Sequence, residues 1–371
     1  MPAFDICIRG SGAVGLATAL ALSRQGLSIA MTAGPAPASS ARPDVRAYAL
    51  NAVSVRLLTE LKVWEALPTD ARTPVHDMRI EGDASGSALD FSAWTQGVEQ
   101  LAWIVDAAEL ESCLAAAVRF APHVTRLAQD DVDASLLVLA EGRASATRER
   151  LGIRMPVQYY GHRGVAARLE SDQGHAGLAR QWFRSPDVLA LLPFDRPRPG
   201  HSYGLVWSVP DERAAVLMAM PPAAFEAALA DATGGAAGDL KLASERADWP
   251  LALARADAVC GPGWVLLGDA AHLVHPLAGQ GLNLGLADVV ALAEVLAARE
   301  SWRPLGDEKL LRRYARQRDL PTRAMGHMTD ALLHLFASPQ PMIRELRNRG
   351  LTLVNHLPAV KRFLTARAID G

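Results

Sequence analysis

The run Gly268–Asn283 concentrates residue types that can do chemistry: an acid, two histidines, a proline and three glycines. The apolar stretch Trp264–Leu267 before it predicts a short strand whose carboxyl end presents Asp269. A helix is predicted from about Leu282. Backbone N–H groups at a glycine-rich loop and a helix start are free to donate, and the helix dipole favours negative charge there. The run therefore predicts a site for an anionic ligand, with Asp269 accepting hydrogen bonds from ligand hydroxyls.

His272 and His275, within the same run, are three residues apart, a spacing at which two histidines could share a metal ion. No carboxylate or cysteine stands beside them to complete a ligand set. We therefore predict no metal site. His272 is interpreted as a hydrogen-bonded structural residue, and His275 as a wall of the site.

A second glycine motif, Gly10-Ser11-Gly12-Ala13-Val14-Gly15, lies near the start of the chain. A strand is predicted before it over Phe4–Ile8, a helix after it as far as Gly26, and a second strand over Leu27–Met31. This βαβ context is the one in which such glycines bind the diphosphate of a dinucleotide. A tight turn that binds nothing is the alternative, and the second motif at 268–283 argues against it.

The composition suits a globular protein with a substantial core. The chain has 371 residues, half of them apolar, which is enough for two domains. Its net charge of −2 does not indicate the basic surface that nucleic-acid-binding proteins use. The three cysteines show no paired spacing, and no basic leader or membrane-spanning stretch is evident. A cytoplasmic location is therefore expected.

The rest of the chain predicts elements that would position these motifs. An antiparallel sheet is expected over 156–250, with strands at Val157–Gly161, Ala190–Phe194, Ser202–Val209 and Ala215–Met220. Gly234–Gly238 is predicted as a loop, and so is the mostly polar segment Phe120–Asp133. Arg9, a charge in an apolar strand, is interpreted as an edge residue that reaches solvent.

Together the two glycine motifs resemble those of the p-hydroxybenzoate hydroxylase-like flavoprotein monooxygenases. The residues His-Pro-Leu-Ala-Gly-Gln-Gly-Leu-Asn at 275–283 resemble the ubiquinone-biosynthesis hydroxylases among them. The resemblance covers nearly the whole chain. It implies an α/β fold: a Rossmann-type FAD-binding domain (1–62, 100–155 and 251–320), an antiparallel-sheet substrate domain (63–99 and 156–250) and a C-terminal helical segment (321–371).

The resemblance also implies a cofactor and a reaction. FAD would be bound, reduced by NADH or NADPH that diffuses to the enzyme, and used with O2 to hydroxylate an aromatic ring. His275 and Pro276 would form the catalytic surface beside the flavin. The residues implied in FAD binding are Gly10, Gly12, Ala13, Val14, Gly15, Arg46, Glu141, Gly268, Asp269, Gly279, Gln280, Gly281, Leu282 and Asn283.

Four features depart from the family pattern. The acid that usually follows the second strand is missing, because Ala33 stands in that region. Two alanines, Ala107 and Ala108, occupy positions where a polar or basic residue usually touches the flavin. Glu141-Gly142 replaces an Asp-Gly pair, and a small β-meander between Leu114 and Leu136 is shortened. These departures support an alternative, a non-catalytic family member that organises a biosynthetic complex.

The C-terminal segment 340–371 is basic and apolar. It is compatible with contact to an anionic membrane surface and equally with a solvated basic face packed on the core. The first reading, with peripheral contact to the inner membrane, favours a polyprenylated phenol of ubiquinone biosynthesis as substrate. A soluble aromatic compound is the alternative substrate.

Overall fold

The computed structural model of the chain describes residues 2–32, 44–83, 87–128, 132–274 and 280–337, with side chains as far as 326 apart from that of Gln280. The strands are β1 (Phe4–Arg9), β2 (Ile29–Thr32), β3 (Ala47–Leu50), β4 (Arg72–Val75), β5 (Asp77–Glu81), β6 (Ala88–Ser92), β7 (Ala102–Asp106), β8 (Val124–Leu127), β9 (Ala134–Leu139), β10 (Val157–Ser171), β11 (Leu178–Arg184), β12 (Asp187–Phe194), β13 (Ser202–Pro210), β14 (Leu240–Leu242), β15 (Ala247–Arg255), β16 (Cys260–Gly261), β17 (Trp264–Leu266) and β18 (His272–Leu273). The helices are α1 (Ala13–Ser23), α2 (Ala52–Glu60), α3 (Ala93–Gln96), α4 (Ala107–Arg119), α5 (Ala146–Arg150), α6 (Asp211–Ala219), α7 (Pro222–Thr233), α8 (Gln280–Ala297) and α9 (Glu308–Ala337), with short 3-10 turns at Thr69–Ala71 and Gly268–Ala270.

A six-stranded sheet in the order β16-β17-β9-β1-β2-β8 carries both predicted ligand motifs at strand ends. Its strands pair in parallel except for β16 with β17. Ile6 and Ile8 of β1 are fully buried beside Leu136 and Val138 of β9, as expected for a parallel sheet covered on both faces. The Rossmann-type βαβ unit predicted from the sequence is confirmed.

The second sheet has nine strands, in the order β18-β15-β10-β13-β12-β11-β5-β6 with β14 beside β10. Its pairs are antiparallel except for β11 with β5, which confirms the predicted antiparallel sheet. One face packs against α6 and α7 through a core that includes Trp207 and Phe225. A three-stranded sheet, β3-β7-β4, forms a separate small layer.

The strand predicted at Ala215–Met220 was wrong, because these residues belong to α6 up to Ala219. Pro210 precedes the helix, and Asp211 and Glu212 lie in its first turn, where the helix dipole favours acids. The two buried residues, Ala214 and Leu217, are three apart, which is helical spacing. An alternating reading of the short apolar run missed these start signals.

The loop predicted over Phe120–Asp133 was also wrong in part, because it contains β8. This strand pairs in parallel with β2 and so satisfies backbone groups that the edge of β2 would otherwise expose. The side chains of β8 are partly or fully exposed, so its polar composition hid a strand that is held by backbone pairing.

Arg9 was wrongly expected at an edge. Its strand, β1, lies between β9 and β2, and Arg9 is only 8% exposed. The Arg9 Nη1 atom donates a hydrogen bond of 2.9 Å to Thr147 Oγ1 at the start of α5. A buried charge of this kind needs polar partners, and the segment after β9 supplies one.

The predicted division into FAD-binding, substrate and C-terminal segments stays a prediction. Its boundary at 321 falls inside α9, which continues through Pro321. The basic segment 340–371 lies outside the described residues. Among the helices that the structure does describe, none has the length and apolar character needed to cross a membrane.

Candidate functional site

Two glycines of the first motif have different structural causes. Gly10 has φ of +119°, and a Cβ atom there would lie 2.1 Å from the carbonyl oxygen of Ala140, so the fold itself requires glycine. Gly12 has an ordinary φ of −78° and is exposed, and a Cβ atom there would meet no described residue within 4 Å. Packing against the described residues therefore does not demand glycine at position 12, and a glycine there leaves the backbone at the start of α1 accessible.

The two ligand motifs touch each other through Val14. A Cβ atom on Gly268 would lie 3.2 Å from Val14 Cγ2, and one on Gly285 of α8 would lie 2.6 Å from the same atom. The side chain of Val14 therefore packs between the Gly268–Ala270 turn and α8. The first motif and the Gly268–Ala270 turn are therefore in direct contact, and Val14 contributes by packing.

Asp269 borders a recess in the protein surface, called the cleft below, as its solvent exposure and its desolvation together indicate. Its side chain is exposed to solvent, yet the surrounding protein desolvates the carboxylate and raises its pKa above the ordinary value. His272, Arg46 and Arg143 oppose that rise. A carboxylate that water reaches, but that protein surrounds on most sides, faces a concave space. A ligand could enter that space and accept or donate hydrogen bonds at Asp269.

Arg46 and Tyr48 of the β3 region line the same cleft. Arg46 forms a two-pronged ion pair with Asp44, at 2.9 Å from Nε to Oδ1 and 2.6 Å from Nη2 to Oδ2. The guanidinium also lies 5.5 Å from the centre of the Tyr48 ring. Burial raises the pKa of Tyr48 to about 12, with a smaller contribution from the charge of Asp269. The β3 region and the Gly268–Ala270 turn therefore share one electrostatic environment.

The turn that carries Asp269 is held from beneath by a buried carboxylate, Asp288 of α8. Asp288 is fully buried and accepts three hydrogen bonds: from Gly268 N at 2.9 Å, from His272 Nε2 at 2.7 Å and from Arg318 Nε at 2.6 Å. Burial alone would raise the pKa of Asp288, but His272, Arg318 and the Gly268 N–H hold it below the ordinary value. This confirms the interpretation of His272 as a hydrogen-bonded structural residue.

The start of α8 presents both structural and open positions. Asn283 accepts hydrogen bonds from Asn51 N at 3.1 Å and Ser54 Oγ at 2.7 Å, and donates to Ala49 O at 2.8 Å. Its side chain therefore clamps β3 and α2 to α8. Leu282 packs against the core. Among the described residues, none would lie within 4 Å of a Cβ atom on Gly281, so no described contact requires glycine there.

Glu141 is engaged within its own segment. Its carboxylate accepts from Ser145 Oγ at 2.5 Å, from Thr147 Oγ1 at 2.8 Å and from Thr147 N at 3.2 Å. Arg148, in the same segment, donates to Ala270 O at 3.1 Å. The structure therefore connects this segment to the Asp269 turn, with the Glu141 side chain directed at the start of α5.

The departures at Ala107 and Ala108 fall at the start of α4. Asp106 caps this helix by accepting a hydrogen bond from Glu109 N at 3.2 Å. Ala107 is buried and Ala108 is exposed. Ala33, His275, Pro276 and Gly279 lie outside the described residues, and of Gln280 only its place in the first turn of α8 is described.

Sequence reasoning missed two residues of this site: Tyr48 and Asp288. A signal for Asp288 was present, because it shares a helix face with the buried residues Leu284 and Leu292, four positions away on either side. An acid in the middle of an apolar face indicates a buried, paired charge. No comparable local signal marks Tyr48.

Known proteins resemble this chain both in sequence and in fold. A family described as FAD binding domain matches residues 102–328. Ubiquinone hydroxylase UbiL of Rhodospirillum rubrum is 31% identical, over 98% of this chain and 89% of the relative. The 3-demethoxyubiquinol 3-hydroxylase of Escherichia coli is 30% identical, over 96% of each chain. The crystal structure of Klebsiella pneumoniae HpxO complexed with FAD and uric acid has a TM-score of 0.76 at 18% identity, covering 100% of this chain and 99% of the other. This last likeness shows a shared fold.

Proposed function

Because the chain belongs to the FAD-dependent monooxygenases of the ubiquinone hydroxylase type, we propose that it hydroxylates the aromatic ring of a polyprenylated phenol in ubiquinone biosynthesis, using O2 and diffusing NADH or NADPH. The observation that carries the proposal is the meeting of three distant segments at one cleft. The start of α1, the Arg46 region and the Asp269 turn all border it. A protein that only used the fold as a scaffold would have no need of this convergence.

The residues of the cleft fit FAD. At Gly12 and Gly281 a side chain would meet no described residue within 4 Å, which suits close approach of a large ligand. The backbone of Gly10, Gly12, Ala13, Val14 and Gly15 would hold the diphosphate at the start of α1. Asp269 would accept hydrogen bonds from the ribityl hydroxyls.

The remaining proposed contacts lie around the flavin. Arg46 would lie beside the cofactor, with Gly268 shaping the turn that presents Asp269. The backbone of Gly279, Gln280, Gly281, Leu282 and Asn283 would face the pyrimidine end of the ring. His275 and Pro276 would form the surface beside which the substrate ring lies. Glu141 would support the site through the segment that Arg148 joins to the Asp269 turn.

FAD supplies the redox chemistry when bound, and the chain supplies position, electrostatic field and protection from water. Asp288 fixes Gly268 and His272, so the Asp269 carboxylate is held at one place in the cleft before the cofactor arrives. The first turn of α8 would offer backbone N–H groups to the bound cofactor, and these would favour negative charge on the pyrimidine end of its ring.

Two relatives support the choice of substrate. Their names, ubiquinone hydroxylase and 3-demethoxyubiquinol 3-hydroxylase, describe hydroxylation of ring compounds in the ubiquinone series. Both align with this chain along nearly its full length. We therefore propose a substrate with a polyprenyl tail, met at the inner membrane surface with the help of the basic segment 340–371.

The test is a reaction with defined components. Purified protein is titrated with FAD while the visible absorption spectrum is recorded, and is then mixed with NADH or NADPH, O2 and a polyprenylated phenol. We expect a bound flavin spectrum, reductant oxidation that depends on the phenol, and a product that has gained one oxygen atom. A protein that leaves the FAD spectrum unperturbed, or that oxidises the reductant without forming an oxygenated product, would contradict the proposal.

The two alternatives have their own readouts. If the substrate is a soluble aromatic compound, the protein should stay in the supernatant when anionic liposomes are sedimented with it. Under our proposal, which includes membrane contact, we expect the protein in the pellet. If the chain only organises a complex, Asp269→Ala should still complement a strain deficient in the corresponding hydroxylase. We expect complementation to be lost.

A further inference from the structure

We propose that Arg168 of the second sheet is a positioning residue for Arg46: its guanidinium holds the Arg46 backbone where the Arg46 side chain can reach bound FAD. This inference rests on the proposed function, because it takes Arg46 to lie beside the cofactor. It assigns a role in cofactor binding to a residue of the predicted substrate domain, far along the chain from both glycine motifs.

The contact that carries the inference joins the guanidinium of Arg168 to the main chain of Arg46. Arg168 Nη2 donates a hydrogen bond of 2.6 Å to the carbonyl oxygen of Arg46, which lies 122 residues earlier in the sequence. The same oxygen accepts a second hydrogen bond, of 3.2 Å, from Ala107 N at the start of α4. Two donors from separate elements therefore fix the Arg46 peptide, and the charged donor makes the stronger kind of hydrogen bond.

Arg168 is itself held in place, as a residue that positions another must be. Its backbone pairs with Gly204 of β13, and its N–H donates to Ser244 Oγ at 2.8 Å. Its guanidinium lies 4.0 Å from the centre of the Phe194 ring, and its Nη2 atom lies 3.5 Å from Asp106 Oδ2. The side chain is only 9% exposed. A guanidinium that is buried among these contacts is confined to one place.

The packing around this contact brings β3 against the second sheet. A Cβ atom on Gly204 would lie 3.0 Å from Ala47 Cβ and 3.6 Å from Arg168 Nη1, so glycine allows both groups to approach β13 closely. Ala47 follows Arg46 in the chain and packs in an apolar cluster that contains Phe194. The Arg46 region is therefore attached to the second sheet by packing as well as by the hydrogen bond from Arg168.

The side chain of Arg46 extends from this fixed peptide to the cleft. Its guanidinium, which is paired with Asp44, opposes the rise in the pKa of Asp269, so it lies near enough for the two charges to interact. A shift of the peptide would displace the guanidinium, because the side chain moves with its own backbone. Loss of the Arg168 hydrogen bond should therefore weaken FAD binding through Arg46, without any contact between Arg168 and the cofactor.

A double-mutant cycle tests whether Arg168 acts through Arg46. The Kd for FAD is measured by flavin fluorescence for the wild type, Arg168→Met, Arg46→Met and the double variant. Methionine keeps an apolar stem and removes the donors. We expect R168M to raise the Kd about tenfold when Arg46 is present, as for one lost charge-assisted hydrogen bond, and less than about twofold in the Arg46→Met background. A general loosening of the fold would instead raise the Kd in both backgrounds.

Arg168→Lys tests the hydrogen bond itself. Lysine keeps a cationic donor on a stem of similar length, so we expect R168K to bind FAD more tightly than R168M does. Thermal unfolding without FAD verifies that each variant folds. Arg168→Gln, whose shorter side chain cannot reach the Arg46 carbonyl, replaces R168M in the cycle if methionine prevents folding.

Arg163→Met provides the matched control on the same strand. Arg163 lies five positions before Arg168 on β10, so its side chain projects from the opposite face, where it pairs with Asp248. Its replacement changes the net charge equally and leaves the Arg46 carbonyl untouched. We expect R163M to bind FAD with the Kd of the wild type.

The outcomes distinguish the two proposals. If no protein, the wild type included, binds FAD, the proposed function itself fails. If the wild type binds FAD and R168M has the same Kd, or loses affinity equally with and without Arg46, the positioning role is wrong while the proposed function stands. Equal Kd values for Arg46→Met and the wild type would also exclude the role, because Arg46 would then not contact the cofactor.

The remaining variants can exclude the role in two further ways. If R168K binds FAD no better than R168M, the hydrogen bond to the Arg46 carbonyl is not the cause of the loss. If R163M loses as much affinity as R168M, the change in net charge explains the loss, and no specific positioning by Arg168 is needed.

Discussion

The glycines bordering the cleft show how a single missing side chain can be assigned to a ligand. Gly10 is required by the fold, because a Cβ atom there would collide with the backbone of Ala140. At Gly12 and Gly281, no contact in the described part of the protein requires glycine, because a Cβ atom at either position would meet no described atom within 4 Å. Substitution by alanine therefore separates folding from ligand binding at these two positions.

Gly12→Ala should lower FAD affinity while leaving the fold intact. The added methyl group projects into the space proposed for the diphosphate, so we expect the Kd for FAD to rise about tenfold or more. The free energy of unfolding without FAD should change by less than about 1 kcal/mol, the scale of an N-cap change. Gly26→Ala is the control: its φ of +78° makes alanine cost about 1–2 kcal/mol, with no effect on FAD binding. Unchanged FAD affinity in Gly12→Ala would exclude the diphosphate from this place.

Asp269→Asn should weaken FAD binding about tenfold. An amide keeps one acceptor oxygen but loses the charge that strengthens hydrogen bonds from ligand hydroxyls, at a cost of about 1–1.5 kcal/mol. Fluorescence titration with FAD measures the change. Asp257→Asn, an exposed acid paired with Arg154, serves as the control that should leave the Kd unaltered. Equal Kd values for Asp269→Asn and the wild type would show that Asp269 does not contact the cofactor.

Several residues of the cleft could be located from the sequence alone because their motifs are contiguous. Gly12 and Asp269 each follow a recognisable strand, and a strand end fixes where the next residues lie. Tyr48 could not be located in this way. Its place near Asp269 depends on how β3 lies relative to the Gly268–Ala270 turn, and no local pattern encodes that arrangement.

The elements around the cleft are joined by one buried carboxylate. Asp288 connects the Asp269 turn, β18, α8 and, through Arg318, α9. A buried charge stabilises a structure only when its partners are complete, and the partners of Asp288 come from three separate elements: the Gly268–Ala270 turn, β18 and α9. Removing the charge should therefore loosen all of them together.

Asp288→Asn should destabilise the protein by about 3–5 kcal/mol, the usual effect of breaking a buried ion pair. Arg318, whose side chain is 12% exposed, would keep its charge without a carboxylate beside it. Denaturant-induced unfolding measures the loss. Glu294→Gln, an exposed acid on the same helix, should change the stability by less than about 0.5 kcal/mol. A small effect in Asp288→Asn would mean that the network does not hold the turn.

The same carboxylate predicts a pH dependence. Because the folded pKa of Asp288 is lower than its ordinary value of 3.8, its stabilising contribution is complete above that value and is lost as the pH falls below it. The difference in unfolding free energy between the wild type and Asp288→Asn should therefore shrink in acid. A difference that stayed constant through this range would contradict the lowered pKa.

The sequence predicted most elements of the parallel sheet and the antiparallel character of the second sheet. These elements have strong local patterns: buried apolar runs, a glycine turn and alternating strands. It failed at α6 and β8. The first is short and apolar, so strand and helix patterns compete there. The second is an exposed edge strand that is stabilised by backbone pairing with β2 and not by an apolar pattern of its own.

At the scale of the whole molecule, FAD should stabilise the fold by mass action. At about 100 times its Kd, FAD should raise the free energy of unfolding by about 2.7 kcal/mol, measured as a rise in Tm. Riboflavin lacks the diphosphate and should give a much smaller rise at the same concentration. An equal rise with riboflavin would show that the start of α1 takes no part in binding.

The cleft is also assembled from parts of the chain that are synthesised at very different times. Gly12 and Arg46 leave the ribosome early, whereas Asp269 and α8 belong to the later part of the described sequence. The central sheet has the same order, since β17 joins β9 only after the entire second sheet up to β15 has been made. A nascent chain can therefore contain the Gly10–Gly15 loop proposed to bind the diphosphate while it still lacks Asp269 and α8, which are proposed to hold the flavin. We therefore expect FAD to bind only late in synthesis and folding, after the strands of both larger sheets have been made.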